Sequence, residues 1–231
     1  MSEVRLSVVM PAYLEEENLR LLLPRLKREL ISIGEPFEIL IVDTMQPMDN
    51  TKEVCALCGV TYLPREKGND YGDAIRTGIL HARGDYTIVM DADGSHSPEF
   101  IHTLYNRKDA YDIVIASRYI EGGSTDNSKI LILLSYITNI SYSIVLNLNY
   151  KDISNSFRLY KTGCLKGLHL KCKNFDIVEE ILYKIKKNNK DIEILEIPYS
   201  FKERLFGHTK RNLFLFVLSY IATIIRLRFD L

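Results

Sequence analysis

Short apolar runs rich in Val and Ile, alternating with helical patterns, constrain the first half of this chain more than any other feature. Leu6–Met10, Phe37–Val42, Val60–Leu63, Tyr86–Met90 and Asp112–Ala116 read as strands, each a brief apolar run bounded by polar or turn residues. Between them, Glu15–Leu30, Thr51–Cys58, Asp73–Ala82 and Pro98–Tyr105 carry helical spacing. This alternation predicts an α/β fold, a mostly parallel sheet flanked by helices. Ligands of such sheets bind beyond the carboxyl ends of the strands. The residues following each strand are therefore the candidates for chemistry.

Pro11, Ala12 and Tyr13 follow the first strand, ahead of Glu15, Glu16 and Glu17, whose charges suit a helix N-terminus. Val42 and Asp43 close the second strand, Asp91-Ala92-Asp93 follow the fourth, and Arg118 follows the fifth. Acidic and basic groups thus converge on one sheet edge. Two carboxylates separated by one residue can aim at one region, and Mg2+ or Mn2+ takes such oxygen ligands while keeping positions open for phosphate. His96, in the turn beyond, reads as a solvated loop or helix-start residue. The segment with Gly68, Gly72 and Gly78 lacks the Lys-Ser/Thr ending of a phosphate loop and reads as a turn before a closely packed helix.

Charge argues against one class of partner. The 231 residues hold 30 Lys plus Arg against 30 Asp plus Glu, without the basic excess that usually meets nucleic acid. An apolar share of 46% is ample for a packed core. Leu6–Met10 is too short for a signal-peptide core, so a cytoplasmic location is expected. Cys55, Cys58, Cys164 and Cys172 lack zinc spacing and read as reduced structural thiols.

Two later segments differ in character. Ile130 to Tyr150 is 21 residues without a charge, yet Ser135, Asn139, Ser143 and Asn147 recur every four residues as a polar stripe. Asn212 to Ile225 is 14 uncharged residues ahead of Arg226 and Arg228, about 21 Å of helix against a hydrocarbon core of about 30 Å. Neither reads as a membrane span. Membrane-surface helices and ordinary core packing both remain open for them.

The ordered motifs resemble family 2 glycosyltransferases. Val8-Val9-Met10-Pro11-Ala12-Tyr13 with Glu15 and Asn18 is similar to the opening motif of that family, and Met90 to Glu99 to its metal motif. Ser117-Arg118-Tyr119, Asp152, Ser156 to Tyr160, and Ile197-Pro198 with Phe201, Arg204, Gly207 and Lys210 resemble the branch of polyprenol-phosphate sugar synthases. The resemblance implies a GT-A nucleotide-sugar-binding domain over 1–211, with the apolar helix 130–150 inserted and an amphipathic helix over 212–231. It also implies a metal-dependent, inverting transfer of mannose or glucose from GDP-mannose or UDP-glucose to a polyprenyl phosphate, on the cytoplasmic face of a membrane. Pro11, Tyr13, Glu15, Val42, Asp43, Asp91, Ala92, Asp93, Arg118, Arg204 and Lys210 would bind the nucleotide sugar. Asp93, with Asp91 and Ser95, would hold Mg2+ or Mn2+; Asp93 and Arg118 would carry catalysis, and Arg118 and Ser135 would meet the acceptor phosphate.

An anionic phosphate acceptor needs no strong general base. A glycan hydroxyl acceptor would need one, for which Asp152 and Glu179 are candidates, and a non-catalytic nucleotide-sugar-binding protein is a third reading. The chain departs from the branch at Thr44, where a second Asp is common, at Leu131 in place of an Arg, and at Asp176 in place of a Lys.

Overall fold

A computed structural model describes residues 3–206 and 213–229, the last stretch without side chains at 213–217. Three parallel strands and their helices form its first part: β1 (Leu6–Pro11), α1 (Glu16–Ile33), β2 (Phe37–Asp43), α2 (Thr51–Cys58), β3 (Thr61–Pro64) and α3 (Tyr71–His81). Then come β4 (Tyr86–Val89), a 3-10 turn at Pro98–Phe100 running into α4 (Ile101–Tyr105), and β5 (Ile113–Ser117). The predicted strands and helices are all present, with boundaries shifted by up to three residues, the largest at the end of α1.

Alternation along the strands sorts the core into two layers. Val8, Met10, Ile39 and Ile41 pack with Leu19, Leu22, Leu23 and Leu26 of α1, while Val9, Leu40 and Val42 point to the other face with Ala74 of α3. β1, β2, β4 and β5 are buried on both faces, which explains why they read as continuous apolar runs, while β3 at the sheet edge is only partly covered.

The second half adds β6 (Ser124–Thr125), α5 (Lys129–Val145), β7 (Arg158–Lys161), α6 (Thr162–Leu165), α7 (Ile177–Asn188), β8 (Ile194–Pro198), β9 (Ser200–Phe201) and α8 (Leu213–Phe229). The seven-stranded sheet runs β3-β2-β1-β4-β7-β5-β8, and β7 lies antiparallel to both β4 and β5. A two-stranded parallel ribbon joins β6 to β9. The order turns around between β1 and β4, the place where open α/β sheets form their binding crevice.

The polar stripe of α5 has a definite orientation. Asn139 is buried and Ser143 donates to the Leu148 carbonyl at 2.5 Å, so these residues serve the loop after the helix. Ile130, Leu133, Tyr136, Ile137, Ile140 and Ile144 are exposed instead. On α8, Leu218, Ile221, Ile225 and Phe229 are exposed, and Tyr220 packs edge-to-face on Tyr142 of α5 with ring centroids 5.8 Å apart. Among the described residues no helix is long and apolar enough to cross a membrane.

Candidate active site

Beyond the carboxyl ends of β1, β2 and β4 lie most of the residues the sequence singled out. Asp93 accepts two hydrogen bonds on one oxygen, from the Ser95 amide at 3.0 Å and the Ser95 hydroxyl at 2.5 Å. Its other oxygen takes Arg204 Nη2 at 2.8 Å. Burial pushes this carboxyl upward, but the Ser95 hydrogen bonds and the Arg204 charge outweigh it and hold Asp93 below the usual carboxylate value. Asp91 accepts from Tyr71 Oη at 3.0 Å and Ser156 Oγ at 3.1 Å, one hydroxyl on each oxygen. The two carboxylates of one short motif are thus served by different parts of the fold.

Residues 199–206 cross this edge as a strap. The Lys202 amide donates to the Ser95 carbonyl at 3.3 Å, the Leu205 amide to the Asp93 carbonyl at 2.9 Å, and the Phe206 amide to Asn18 Oδ1 at 3.1 Å. Gly94, at φ +87, makes the approach possible: a Cβ there would overlap the Leu205 side chain. A second close approach sits at Gly72, whose amide donates to the Lys173 carbonyl at 2.6 Å and where a Cβ would strike the Cys172 carbonyl.

His96 corrects the expectation of a solvated residue. It is fully buried, stacked on Phe157 at 4.7 Å, and its Nδ1 accepts the Asp91 amide at 2.9 Å. Burial pushes its pKa down, so it is a neutral ring that fixes the turn beneath the carboxylates. Phe157 and Tyr160 are buried, as a strand core requires.

Near the β2 end, Asp43 is buried and accepts Tyr62 Oη at 3.2 Å; burial pushes its carboxyl up. The Val42 side chain lies in the core with Val9 and Leu40, and its carbonyl accepts the Ala12 amide at 2.9 Å. Ala92 is likewise buried, Pro11 closes a buried strand, and Glu15 accepts from Asn18 at the head of α1. Tyr13 is exposed beside Leu14, which holds a left-handed φ of 57. Arg65, which the sequence reading passed over, is buried and donates to the Ala12 carbonyl at 2.6 Å, tying the β3 end to the β1 end. Thr44, the departure from a second Asp, is buried and donates to the Gln46 carbonyl at 2.6 Å.

A second cluster follows β5. Arg118 grips Asp152 bidentately, with Nε to Oδ2 at 2.8 Å and Nη2 to Oδ1 at 2.7 Å, and Nη2 also donates to Ser154 Oγ at 2.9 Å. Burial works against the Arg118 charge, and Asp152 more than restores it, raising its pKa. Ser135 of α5 reaches Ser154 Oγ at 3.4 Å, so both expected acceptor residues meet in one place. Lys210 lies outside the described residues. Leu131 is exposed, and Asp176 is buried where it accepts from Thr223 of α8. Glu179 is fully buried, and burial pushes its carboxyl up to about 8.

The family follows from comparison with known proteins. The model of glycosyl transferase family 2 matches residues 7–168, most of the chain. The chain belongs to glycosyl transferase family 2. It is 31% identical over 214 residues to a dolichol-phosphate mannosyltransferase of Pyrococcus furiosus, an alignment covering 90% of this chain and 59% of that relative. It is 29% identical over 221 residues to an undecaprenyl-phosphate mannosyltransferase of Micrococcus luteus, covering 90% of this chain and 88% of the relative. The fold is similar to that of a Mycobacterium tuberculosis glucosyl-3-phosphoglycerate synthase solved with phosphoglyceric acid, at a TM-score of 0.75 and 14% identity, covering 98% of this chain and 80% of that one. The same synthase solved with Mn2+, UDP and its product superposes at 0.73. Such family 2 enzymes are glycosyltransferases on a GT-A-like α/β sheet, as the sequence motifs implied.

Proposed function

We propose that this chain is a divalent-metal-dependent, inverting glycosyltransferase that moves a hexose, mannose or glucose, from a nucleoside diphosphate sugar to polyprenyl phosphate. One observation carries the reading. Two phosphate-competent clusters sit on one sheet edge: the Asp91–Asp93 pair with Arg204, and the Arg118–Ser154–Ser135 group beside an outward-facing apolar helix.

The donor set suits a hard cation. Asp93 is held ionised and already carries a cationic partner in Arg204, while each Asp91 oxygen accepts from a neutral hydroxyl. Among the described residues no group of three or more His, Cys, Asp or Glu gathers to hold a metal. The ion would therefore rest on Asp93, Asp91 and Ser95, with positions left for diphosphate oxygens, in the manner of Mg2+ or Mn2+. When bound, it offsets charge developing on the leaving diphosphate. Pro11, Tyr13, Glu15, Val42, Asp43 and Ala92, which lie at the carboxyl ends of β1, β2 and β4, would line the nucleotide site. Arg204 adds positive charge on the strap, and Lys210, which lies outside the described residues, would add a second cation for the diphosphate.

The acceptor reading gains from what the carboxylates are doing. Asp152 is locked to Arg118 and Glu179 is buried, so neither is placed to deprotonate a sugar hydroxyl. A phosphate acceptor attacks as an anion and requires only to be held. Ser135 and Ser154 offer it hydroxyls and Arg118 a fixed positive charge. The exposed apolar faces of α5 and α8 fit the membrane surface, which would place the chain peripherally on a cytoplasmic leaflet, with 1–211 as the catalytic unit and 212–231 as its terminal helix. Purified protein supplied with Mn2+ and with GDP-mannose or UDP-glucose is tested against three acceptors: polyprenyl phosphate, the dephosphorylated polyprenol and an oligosaccharide. Transfer to polyprenyl phosphate alone is expected; transfer only to hydroxyl acceptors would overturn the acceptor assignment.

A further inference from the structure

The segment 151–154 belongs to no helix or strand, yet side chains hold all four of its amides and two of its carbonyls. Glu196 of β8 accepts the Lys151 amide at 2.9 Å and the Asp152 amide at 2.8 Å. Asn139 of α5 accepts the next two with a single Oδ1 atom, Ile153 at 2.8 Å and Ser154 at 2.9 Å. The buried Arg158 guanidinium of β7 donates to the carbonyls of Asp152, at 3.3 Å, and Ile153. Four consecutive amides are therefore satisfied by two side chains, where a surface loop would leave them to water.

What this loop presents is the Arg118 clamp. Asp152 takes the Arg118 backbone amide and two guanidinium nitrogens, and Ser154 takes a further hydrogen bond from Nη2. Ser135, which meets Ser154, lies one helical turn before Asn139. On the same helix Tyr136, Ile137 and Ile140 are exposed, while Asn139 is 2% exposed. One short stretch of α5 thus faces outward with apolar side chains and inward with the atom that aims the loop. A purely local cap would satisfy its own helix; Asn139 instead reaches across to a segment more than ten residues away.

We propose that Asn139 is a positioning residue for acceptor capture: by holding the Ile153 and Ser154 amides it sets the geometry of Arg118 and Ser154 relative to the apolar helix face. This rests on the reading that those two residues meet the acceptor phosphate. Asn139 touches no substrate; it acts through the loop. Glu196 holds the other half of the loop from β8, whereas Asn139 holds its half from the helix that carries the apolar face, so it ties helix placement to Arg118 geometry through the loop backbone, beside the Ser135–Ser154 side-chain contact.

The test reads Arg118 directly and the acceptor separately. In protein labelled with 15N-arginine, the Arg118 Nε–H signal is assigned by its disappearance in Arg118→Lys. In Asn139→Ala its hydrogen exchange is expected to quicken by at least about tenfold, the loss of two accepted hydrogen bonds, with near wild-type exchange in Asn139→Asp, which keeps an accepting oxygen. KM for polyprenyl phosphate rises about tenfold in Asn139→Ala, while the Kd for nucleotide and binding to vesicles without polyprenyl phosphate stay within twofold. Should Asn139→Ala not fold, Asn139→Ser, too short to reach both amides, carries the same expectation. Unchanged Arg118 exchange in the folded variant overturns the proposal, as does an equal loss of nucleotide and acceptor affinity that Asn139→Asp does not relieve. A wild-type protein that does not bind polyprenyl phosphate would overturn the acceptor reading instead, and the exchange rates would still decide the role of Asn139.

Discussion

The donor edge and the acceptor side of this molecule are built by opposite means. At the donor edge, Asp91, Asp93, Ser95 and His96 come from one turn after β4, and the turn supplies much of its own hydrogen bonding. On the acceptor side, Arg118 is held by Asp152 and Ser154, which are held in turn by Asn139, Arg158 and Glu196 from three separate elements. The local site contains charges that are partly open, with Asp93 and Arg204 both reaching solvent. The distributed site contains a buried ion pair, with Asp152 fully enclosed. Chemistry and stability should therefore separate at the first site and travel together at the second.

The largest expected effect tests that separation. Asp93→Asn keeps the Ser95 hydrogen bonds in shape but removes the charge that a metal requires, so transfer should fall about a thousandfold with the melting temperature nearly unchanged. Steady-state rates and thermal unfolding on the same preparation check it. A large loss of stability would erase the contrast.

Next in size, Arg118→Ala leaves the Asp152 carboxylate buried without its partner. Removing one member of a buried pair costs about 3–5 kcal/mol, so this variant should lose both activity and stability. Denaturant unfolding measures the cost, and a loss under about 1 kcal/mol would show that water reaches Asp152 after all.

A third prediction concerns pH and belongs to the distributed half. Glu179 is fully buried near Arg158, Asp176 and Tyr220, and burial pushes its carboxyl from 4.5 up to about 8. An acid whose folded value is raised binds its proton more tightly when folded. Its stability contribution is therefore complete below about 4.5 and is lost as pH rises toward 8. The loss runs at roughly 1.4 kcal/mol per pH unit within that window. Glu179→Gln should flatten this slope and stabilise the protein most at pH 8. Parallel slopes for variant and wild type across that window would contradict the assignment.

The smallest effect on stability comes from the outward face of α5. Changing Ile137 and Ile140, both exposed, to Glu should shift stability by less than about 0.5 kcal/mol yet sharply weaken binding to lipid vesicles in a flotation assay. Undiminished vesicle binding would remove the membrane role from this face.

The same contrast explains what could be read from the amino-acid sequence. Asp91-Ala92-Asp93 announces itself because its partners are neighbours and it follows a buried strand. Tyr71, Ser156 and Arg204 reach the same carboxylates across 20, 65 and 111 positions, and no local pattern marks a Tyr or a Ser as the donor. His96 escapes a local reading for a related reason: its burial depends on Phe157, Tyr199 and Phe201 closing over it. β1, β2, β4 and β5 are legible because strands buried on both faces are uninterrupted apolar runs, and β3, a half-covered edge strand, by its short Val60–Leu63 run. β7 is legible only in part: Phe157 and Tyr160 read as strand core, but Arg158 and Lys161 give it charged ends, although Arg158 is buried and spends its donors on carbonyls. The stripe of α5 is legible at Ser135, Asn139 and Ser143, but not at Asn147, which lies past the helix end and is exposed. Its direction is not legible, because only the loop at 151–154 shows that the polar face turns inward.

The central claim is that two separate clusters serve two separate phosphates. Calorimetric binding to Asp93→Asn and Arg118→Lys tests it most directly, with nucleoside diphosphate plus Mn2+ as one titrant and polyprenyl phosphate in detergent as the other. The account predicts a crossed result: Asp93→Asn loses metal-dependent nucleotide binding and keeps the lipid phosphate, while Arg118→Lys keeps the nucleotide and loses the lipid phosphate. If each folded variant loses both ligands to the same extent, the two clusters form a single site and the division of labour described here is wrong.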